Sequence, residues 1–340
     1  MTEGLRALLI PPQEARLRCC FNLDGVPLQL ITSGWHRLVV AALDRVFVFP
    51  RHQSEVPMLE READVLSVLD LDFAPRLLGL HRDARISPYP FLELTRLPGR
   101  AYDEIKAALS LDDTVKCLES LGRRVAQWHC VAVPSRLNAR PDHLDAPRVS
   151  DVWTQPDAIR RTARLAAKSL TPRVGEVPAD LWAAALTPIA TLERTSVHGE
   201  VSDGQFMIDE SLHVTGVVDW DGLHLGHPFR DLDFGVGGYR ICQCEPHWIE
   251  IRRRIWEAYA SERCIPLPEW RCVNLFWCLL DAMTAISAQP PEKVKVRVGH
   301  GYAPHSGSLQ VCKKPTPLRA NCTMILATVC AHLSGTICPG

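Results

Sequence analysis

His198, Glu200, Gln205, Asp219 and Asp221 are gathered in one segment, SVHGEVSDGQFMIDESLHVTGVVDWDGLHLGHPFRDLDF (196–234). Within it, Gln205–Asp209 and His213–Trp220 are rich in apolar and β-branched residues, and a polar Asp-Glu-Ser segment separates them. This pattern predicts a β-hairpin, although the turn lacks the Asn-Gly or Asp-Gly of the tightest class. A hairpin returns the chain to its start, so the loop carrying Glu200 can face the carboxylate of Asp219. One carboxylate near a hydroxyl and a second near a metal are what phosphoryl transfer needs. There the protein positions the nucleophile and neutralises phosphate charge rather than doing covalent chemistry.

Those groups need a scaffold, and the rest of the chain supplies candidates for one. Residues 24–32 and 36–49 read as strands, VPLQLIT, HRLVVAA and RVFVF. The turn between the first two, Thr32-Ser33-Gly34-Trp35, could bring backbone N–H groups over phosphates, since glycine permits close approach. Residues 55–69 read as an amphipathic helix with Met58, Leu59, Val65, Leu66 and Leu69 on one face. Pro75–Leu80 is a predicted strand, and Leu97-Pro98-Gly99 marks the end of the stretch that follows from Pro90. Further on, Asp112–Val131 recurs in Val115, Leu118, Leu121, Val125 and Trp128 at helical spacing. Helices are also predicted at Asp157–Leu170, Ala179–Leu192, His247–Ser261 and Trp270–Ile286, the last apolar nearly all round.

With these elements in order, the central segment resembles the aminoglycoside phosphotransferase (choline kinase-like) family, a branch of the protein-kinase-like fold. The family pattern of His-Gly-Asp, a following Asn, and a hairpin ending in Ile/Val-Asp-Trp reads here as His198-Gly199-Glu200, Gln205, and Val218-Asp219-Trp220. GHPFRDLDFG continues it and places Pro228 and Asp231. The resemblance implies an α+β, bilobal fold with a small N-terminal β-sheet lobe (1–97) and a larger, mainly helical C-terminal lobe (98–288). Residues 289–340, basic, polar and proline-bearing before a short apolar run, match nothing in the family.

The same resemblance implies the site. Glu200 stands where the family's base accepts the acceptor's proton, and His198 braces that loop. Gln205 and Asp219 stand at the magnesium ligands, which suits an ion that takes one or two protein oxygens plus phosphates and water. Ser33 and Gly34 would cover the phosphates of ATP or GTP. Glu62 matches the helix glutamate that pairs with a strand lysine, and the segment holding Glu93, Thr95 and Leu97 would meet the adenine. Asp231 would buttress backbone N–H groups, and His129 is assigned a structural role. The sequence departs from the family in three places: Glu for the catalytic Asp, Gln for the metal-binding Asn, and Val48 where a basic residue precedes Phe49-Pro50. Arg45 and Arg51 lie nearby but with the parity of Phe47 and Phe49, opposite Val48. The activity implied is ATP- or GTP-dependent phosphorylation of a small-molecule hydroxyl. The alternative is a catalytically impaired pseudokinase that binds nucleotide or a protein partner.

Bulk properties are ordinary for a soluble globular protein. The chain has 340 residues, 46% hydrophobic and 23% charged, with a formal net charge of -1. That balance gives no electrostatic case for nucleic acid or a membrane surface. No apolar run reaches the roughly 18 residues of a membrane span. The N-terminus is not a signal peptide by its pattern. With 13 cysteines, an odd count without repeating spacing, reduced thiols in the cytoplasm are expected. Cys242-x-Cys244-x-x-His247 and His224-x-x-His227 offer zinc donors, but the paired CxxC spacing of a structural zinc site is absent. The acceptor's identity and the oligomeric state are not written in the sequence.

Overall fold

In the computed structural model, the described residues are 11–32, 37–141, 187–232, 248–263, 265–270, 272–274 and 276–277. The Ser33-Gly34 turn, the helix expected over Asp157–Leu170, most of those over Ala179–Leu192 and Trp270–Ile286, Cys242, Cys244, His247 and the 289–340 tail fall outside them.

The first helix among the described residues, α1 (Pro11–Phe21), opens on two prolines, which are tolerated where the first turn has no N–H partner to lose. Five strands follow in one antiparallel sheet: β1 (Gln29–Thr32), β2 (Arg37–Ala42), β3 (Arg45–Pro50), β4 (Leu77–His81) and β5 (Phe91–Thr95). Their spatial order is β1-β2-β3-β5-β4. The β2–β3 register sets Arg37 opposite Pro50 and Val39 opposite Val48. One sheet face carries Val40, Phe47, Phe49 and Phe91, which join Leu17 of α1 in a buried cluster. Between β3 and β4 lies α2 (Val56–Leu66), which buries Leu59, Ala63, Val65 and also Glu62. A carboxylate buried on the apolar face of a helix needs a partner, and this one organises the site.

After the short strand β6 (Arg100–Ala101) comes α3 (Leu111–Trp128). The Ser110 hydroxyl caps it by accepting from the Asp113 amide at 3.1 Å, and Asp112 and Asp113 face the positive end of the helix dipole. Its buried face is the expected one, from Val115 through Trp128. β7 (Thr195–Val197) pairs with β10 (His224–Gly226). The expected hairpin is β8 (Phe206–Ile208) and β9 (Val214–Val217), with β6 added to its free edge. The connector from β5 lies on this hairpin: a side chain at Gly216 would meet Leu97 Cδ1 at 2.7 Å, and the Thr215 hydroxyl donates to the Pro98 carbonyl at 2.7 Å.

Two compact units divide the chain. The first comprises Met1–Asp151, Glu193–Leu232 and Arg254–Ile265; the second comprises Val152–Leu192, Asp233–Arg253 and Pro266–Gly340. A further helix, α4 (Trp248–Glu262), gives its C-terminal part to the first unit. There Gly122 of α3 lets the backbones close in, because a Cβ at that position would stand 2.9 Å from the Ile255 carbonyl oxygen. In the second unit, Trp277 packs edge-on to Trp270 at 5.8 Å, and the Arg252 guanidinium lies 5.6 Å from the Trp277 ring centre. Among the described residues, no helix is long and apolar enough to cross a membrane.

Candidate active site

The loop after β7 is fixed by one buried carboxylate. Asp231 accepts from the backbone amides of His198 (2.6 Å) and Gly199 (2.9 Å), from Trp128 Nε1 (2.8 Å) and from His129 Nε2 (3.2 Å). Gly199 stands at φ +97°, a conformation that favours glycine, and its carbonyl accepts from Arg230 Nε at 2.9 Å. Both sides of this residue are therefore held, and the half-buried Glu200 leaves the loop from a fixed backbone. The end of α3 is tied to the same loop: the Thr195 and Ser196 hydroxyls donate to the carbonyls of His129 and Trp128. His129 Nδ1 meets the Tyr259 hydroxyl at 3.0 Å. Burial opposes ionisation of both members of the His129–Asp231 pair. For Asp231 the donors around it outweigh that cost and hold its pKa well below the usual carboxylate range, whereas burial lowers that of His129.

His198 joins this loop to the hairpin. Its ring is fully buried, and Nε2 donates to the Val218 carbonyl at 3.0 Å, one residue before Asp219. Trp220 packs on the imidazole with ring centres 4.7 Å apart. The Val218 amide donates to the Gln205 carbonyl at 2.9 Å, and Gln205 Nε2 donates to Asp219 Oδ2 at 2.8 Å. Asp219 itself sits in the left-handed region at φ +72°, ψ +55°, which an Asp adopts more readily than most residues. Gln205 Oε1 is buried and has no hydrogen-bond partner. A carboxylate and an amide oxygen are hard donors of the kind Mg2+ takes, and here Gln205 presents Nε2 rather than Oε1 to Asp219, so the amide would have to turn over to put both oxygens on an ion. Among the described residues, no group of three or more His, Cys, Asp or Glu side chains is arranged to hold a metal.

The third part was not legible in the sequence. Glu62 has its cationic partner, and it comes from β2. Arg37 Nη1 donates to Glu62 Oε2 and, at 3.0 Å, to Asp219 Oδ1, while Nη2 donates to Asp221 Oδ2 at 2.5 Å. Glu62 Oε1 also accepts from the Trp220 amide at 3.3 Å. Burial alone would weaken the charge on Arg37, but the three carboxylates prevail and raise its pKa. Burial pushes Glu62 up to about 7 against the pull of Arg37, with Asp219 and Asp221 adding to the rise. Arg61, one residue earlier on α2, donates to the carbonyls of Asp221 and Leu223, each at 2.8 Å, and so pins the segment after Asp219 to the helix.

The Glu62 shift has a testable sign. A carboxyl raised in the folded state keeps its proton after the unfolded chain has lost it. Stability from this group is therefore full below the unfolded value of about 4.5, falls as pH rises, and levels off above about 7. Taking the metal-free protein from pH 8 to pH 6.5 should raise its unfolding free energy by up to about 1 kcal/mol, and Glu62→Gln should flatten that rise in urea titrations.

Of the residues expected at the site, His198, Gln205, Asp219 and Glu62 are joined through hydrogen bonds, and Glu200 follows the pinned Gly199. Glu93 and Thr95 are committed elsewhere. Glu93 holds Arg45 Nη1 and His81 Nε2, each at 3.0 Å, on the face shared with Phe47 and Phe91, and Thr95 Oγ1 accepts from the Arg76 amide at 2.9 Å. Leu97 packs on the hairpin as described. Val48 is buried between Val39 and Leu92. His224 Nδ1 is bonded to the Gly222 carbonyl (2.8 Å), and His227 Nδ1 accepts from the Phe229 amide (3.3 Å).

Known proteins resemble this chain over the same region. The model of the phosphotransferase enzyme family, APH, matches residues 27–276. A viomycin phosphotransferase from Streptomyces vinaceus is 26% identical over 222 residues, covering 62% of this chain and 72% of the relative. Among solved structures, the GDP complex of wild-type aminoglycoside 2'-phosphotransferase-IIIa aligns with a TM-score of 0.50 at 13% identity, covering 96% of this chain and all of that one (100%). The GDP complex of a mutant of the same enzyme gives a TM-score of 0.50 at 15% identity, over 81% and 87% of the two chains. These alignments match the α+β, kinase-like fold that the resemblance implied.

Proposed function

Since this chain belongs to the phosphotransferase enzyme family, APH, we propose that it transfers the γ-phosphoryl group of ATP or GTP to a hydroxyl of a small molecule. The observation that carries this reading is the Asp219 carboxylate bonded to Gln205 Nε2, with the Gln205 amide oxygen buried and without a hydrogen-bond partner, the pair being joined through His198 to the loop of Glu200. Asp219 and Gln205 would hold Mg2+, whose charge offsets that of the nucleotide phosphates. Glu200 accepts the proton of the acceptor hydroxyl. The hydroxyl oxygen then bonds to the γ-phosphorus as the bond to the β,γ-bridging oxygen breaks, and the nucleoside diphosphate leaves with that electron pair. The Asp231 network keeps Glu200 in place during this step, and that positioning is most of what a phosphoryl-transfer protein contributes. The backbone of the Glu93–Leu97 connector and the Ser33-Gly34 turn are assigned to the nucleotide.

The longer side chains at Glu200 and Gln205 and the apolar Val48 favour a second reading, a pseudokinase that holds nucleotide without turnover. Thermal unfolding with and without Mg2+ and ATP or GTP, followed by an assay for nucleoside diphosphate release, separates the two. Ligand at 100 times its dissociation constant stabilises a native state by about 2.7 kcal/mol, a shift of several degrees. A magnesium-dependent shift with release driven by viomycin or an aminoglycoside supports the enzyme. The shift without release under a broad acceptor screen supports the pseudokinase, and no shift with either nucleotide overturns the nucleotide site.

A further inference from the structure

We propose that Arg37, on β2, is the cation that grips the nucleotide's phosphates in this chain, in the place of a basic residue on β3. The inference rests on the nucleotide reading above. β3 has nothing to offer on the relevant face: Val48 is buried there, and Arg45 is spent on Glu93 on the opposite face. Glu62 nevertheless holds a guanidinium, because the register that sets Arg37 opposite Pro50 brings this side chain to α2 from the neighbouring strand.

The placement suits phosphate. Arg37 Nη1 is 3.0 Å from Asp219 Oδ1, so the guanidinium stands beside the carboxylate assigned to the metal. A phosphate on an ion held by Asp219 would stand next to this guanidinium. The bonds to Glu62, Asp219 and Asp221 use three of the five N–H donors of an arginine. Asp219 Oδ1 cannot serve the guanidinium and a divalent ion equally, and the donor it releases is available to a phosphate oxygen. One guanidinium facing three carboxylates also leaves the cluster negative. A free polyphosphate is repelled, and a magnesium-bound one is accepted.

Removing Arg37 strands buried carboxylates, so the test uses the background Glu62→Gln, which neutralises the most deeply buried of them. Dissociation constants are measured by calorimetry for Mg-ATP and Mg-GTP and for adenosine and guanosine, which lack phosphate. Glu62→Gln/Arg37→Gln should bind triphosphate at least about tenfold more weakly than Glu62→Gln, the loss expected of a charge-assisted hydrogen bond, with nucleoside affinity unchanged. Adding Val48→Lys to the double variant should recover most of the loss by restoring a cation on β3. Equal triphosphate affinity in the two variants overturns the assignment, as does an equal loss for nucleoside and triphosphate. If the wild type binds neither triphosphate nor nucleoside, the nucleotide reading itself falls, and the role of Arg37 falls with it.

Discussion

Asp231→Ala should leave the protein largely unfolded, or insoluble on expression, at 37 °C. Asp231 is fully surrounded, and it satisfies two backbone amides, an indole N–H and an imidazole. Alanine offers none of them an acceptor. Each buried donor left unpaired costs about 1–3 kcal/mol, so the loss is on the order of 4 kcal/mol or more against a typical total of about 5–15. Asp231→Asn keeps the shape and one acceptor oxygen but turns an N–H toward the remaining donors. Its loss should be smaller, about 2–4 kcal/mol, and visible as a lower urea midpoint with an unchanged slope. An Asp231→Ala protein as stable as the wild type would mean that this carboxylate is not the brace of the loop.

The second large effect separates binding from chemistry. Asp219→Ala should abolish the magnesium-dependent thermal shift with nucleotide, because it removes the charged member of the Gln205–Asp219 pair. Glu200→Gln should keep that shift and lower kcat by about 10²–10⁴-fold, the usual contribution of a positioned general base. Glu200→Asp is the more informative partner. It restores the family's residue type but withdraws the carboxylate by roughly 1 Å, and a misplacement of that size can cost about a hundredfold if the site is built for glutamate. A rise in kcat on Glu200→Asp would instead mark a site that has drifted from its working geometry. Equal loss of nucleotide binding in Asp219→Ala and Glu200→Gln would sink the division of roles.

The hairpin, the Glu200 loop and the Asp231 buttress were legible because their residues are close in sequence, and their order is itself the signal. Arg37 was not. A cation for Glu62 was sought on β3, where parity excludes Arg45, yet the partner lies one strand over. Nothing near residue 37 marks it, since cross-strand register comes from the pairing and not from local composition. Asp221 stood in view at the hairpin exit, but its place in the same ion cluster depends on that strand as well. α1 escaped for a different reason: Leu17 is the one residue of the helix that is fully buried, so no apolar stripe announced it. The side chains of Glu93 and Thr95 show the converse limit. Their stretch reads correctly as a strand and connector, but which neighbours engage each side chain is decided across the sheet.

The Arg37–Asp219 bond joins positions 182 residues apart. The bond needs β2 and the hairpin both in place, so we expect it to form after the rate-limiting step of folding, which φ-values near zero for substitutions at Arg37 would show. Whatever stabilises that cluster then acts on the exit from the folded state and not on the entry to it. A cation and nucleotide bound there would lengthen the lifetime of the folded chain and slow its capture by proteases, while refolding proceeded at the same pace with or without them.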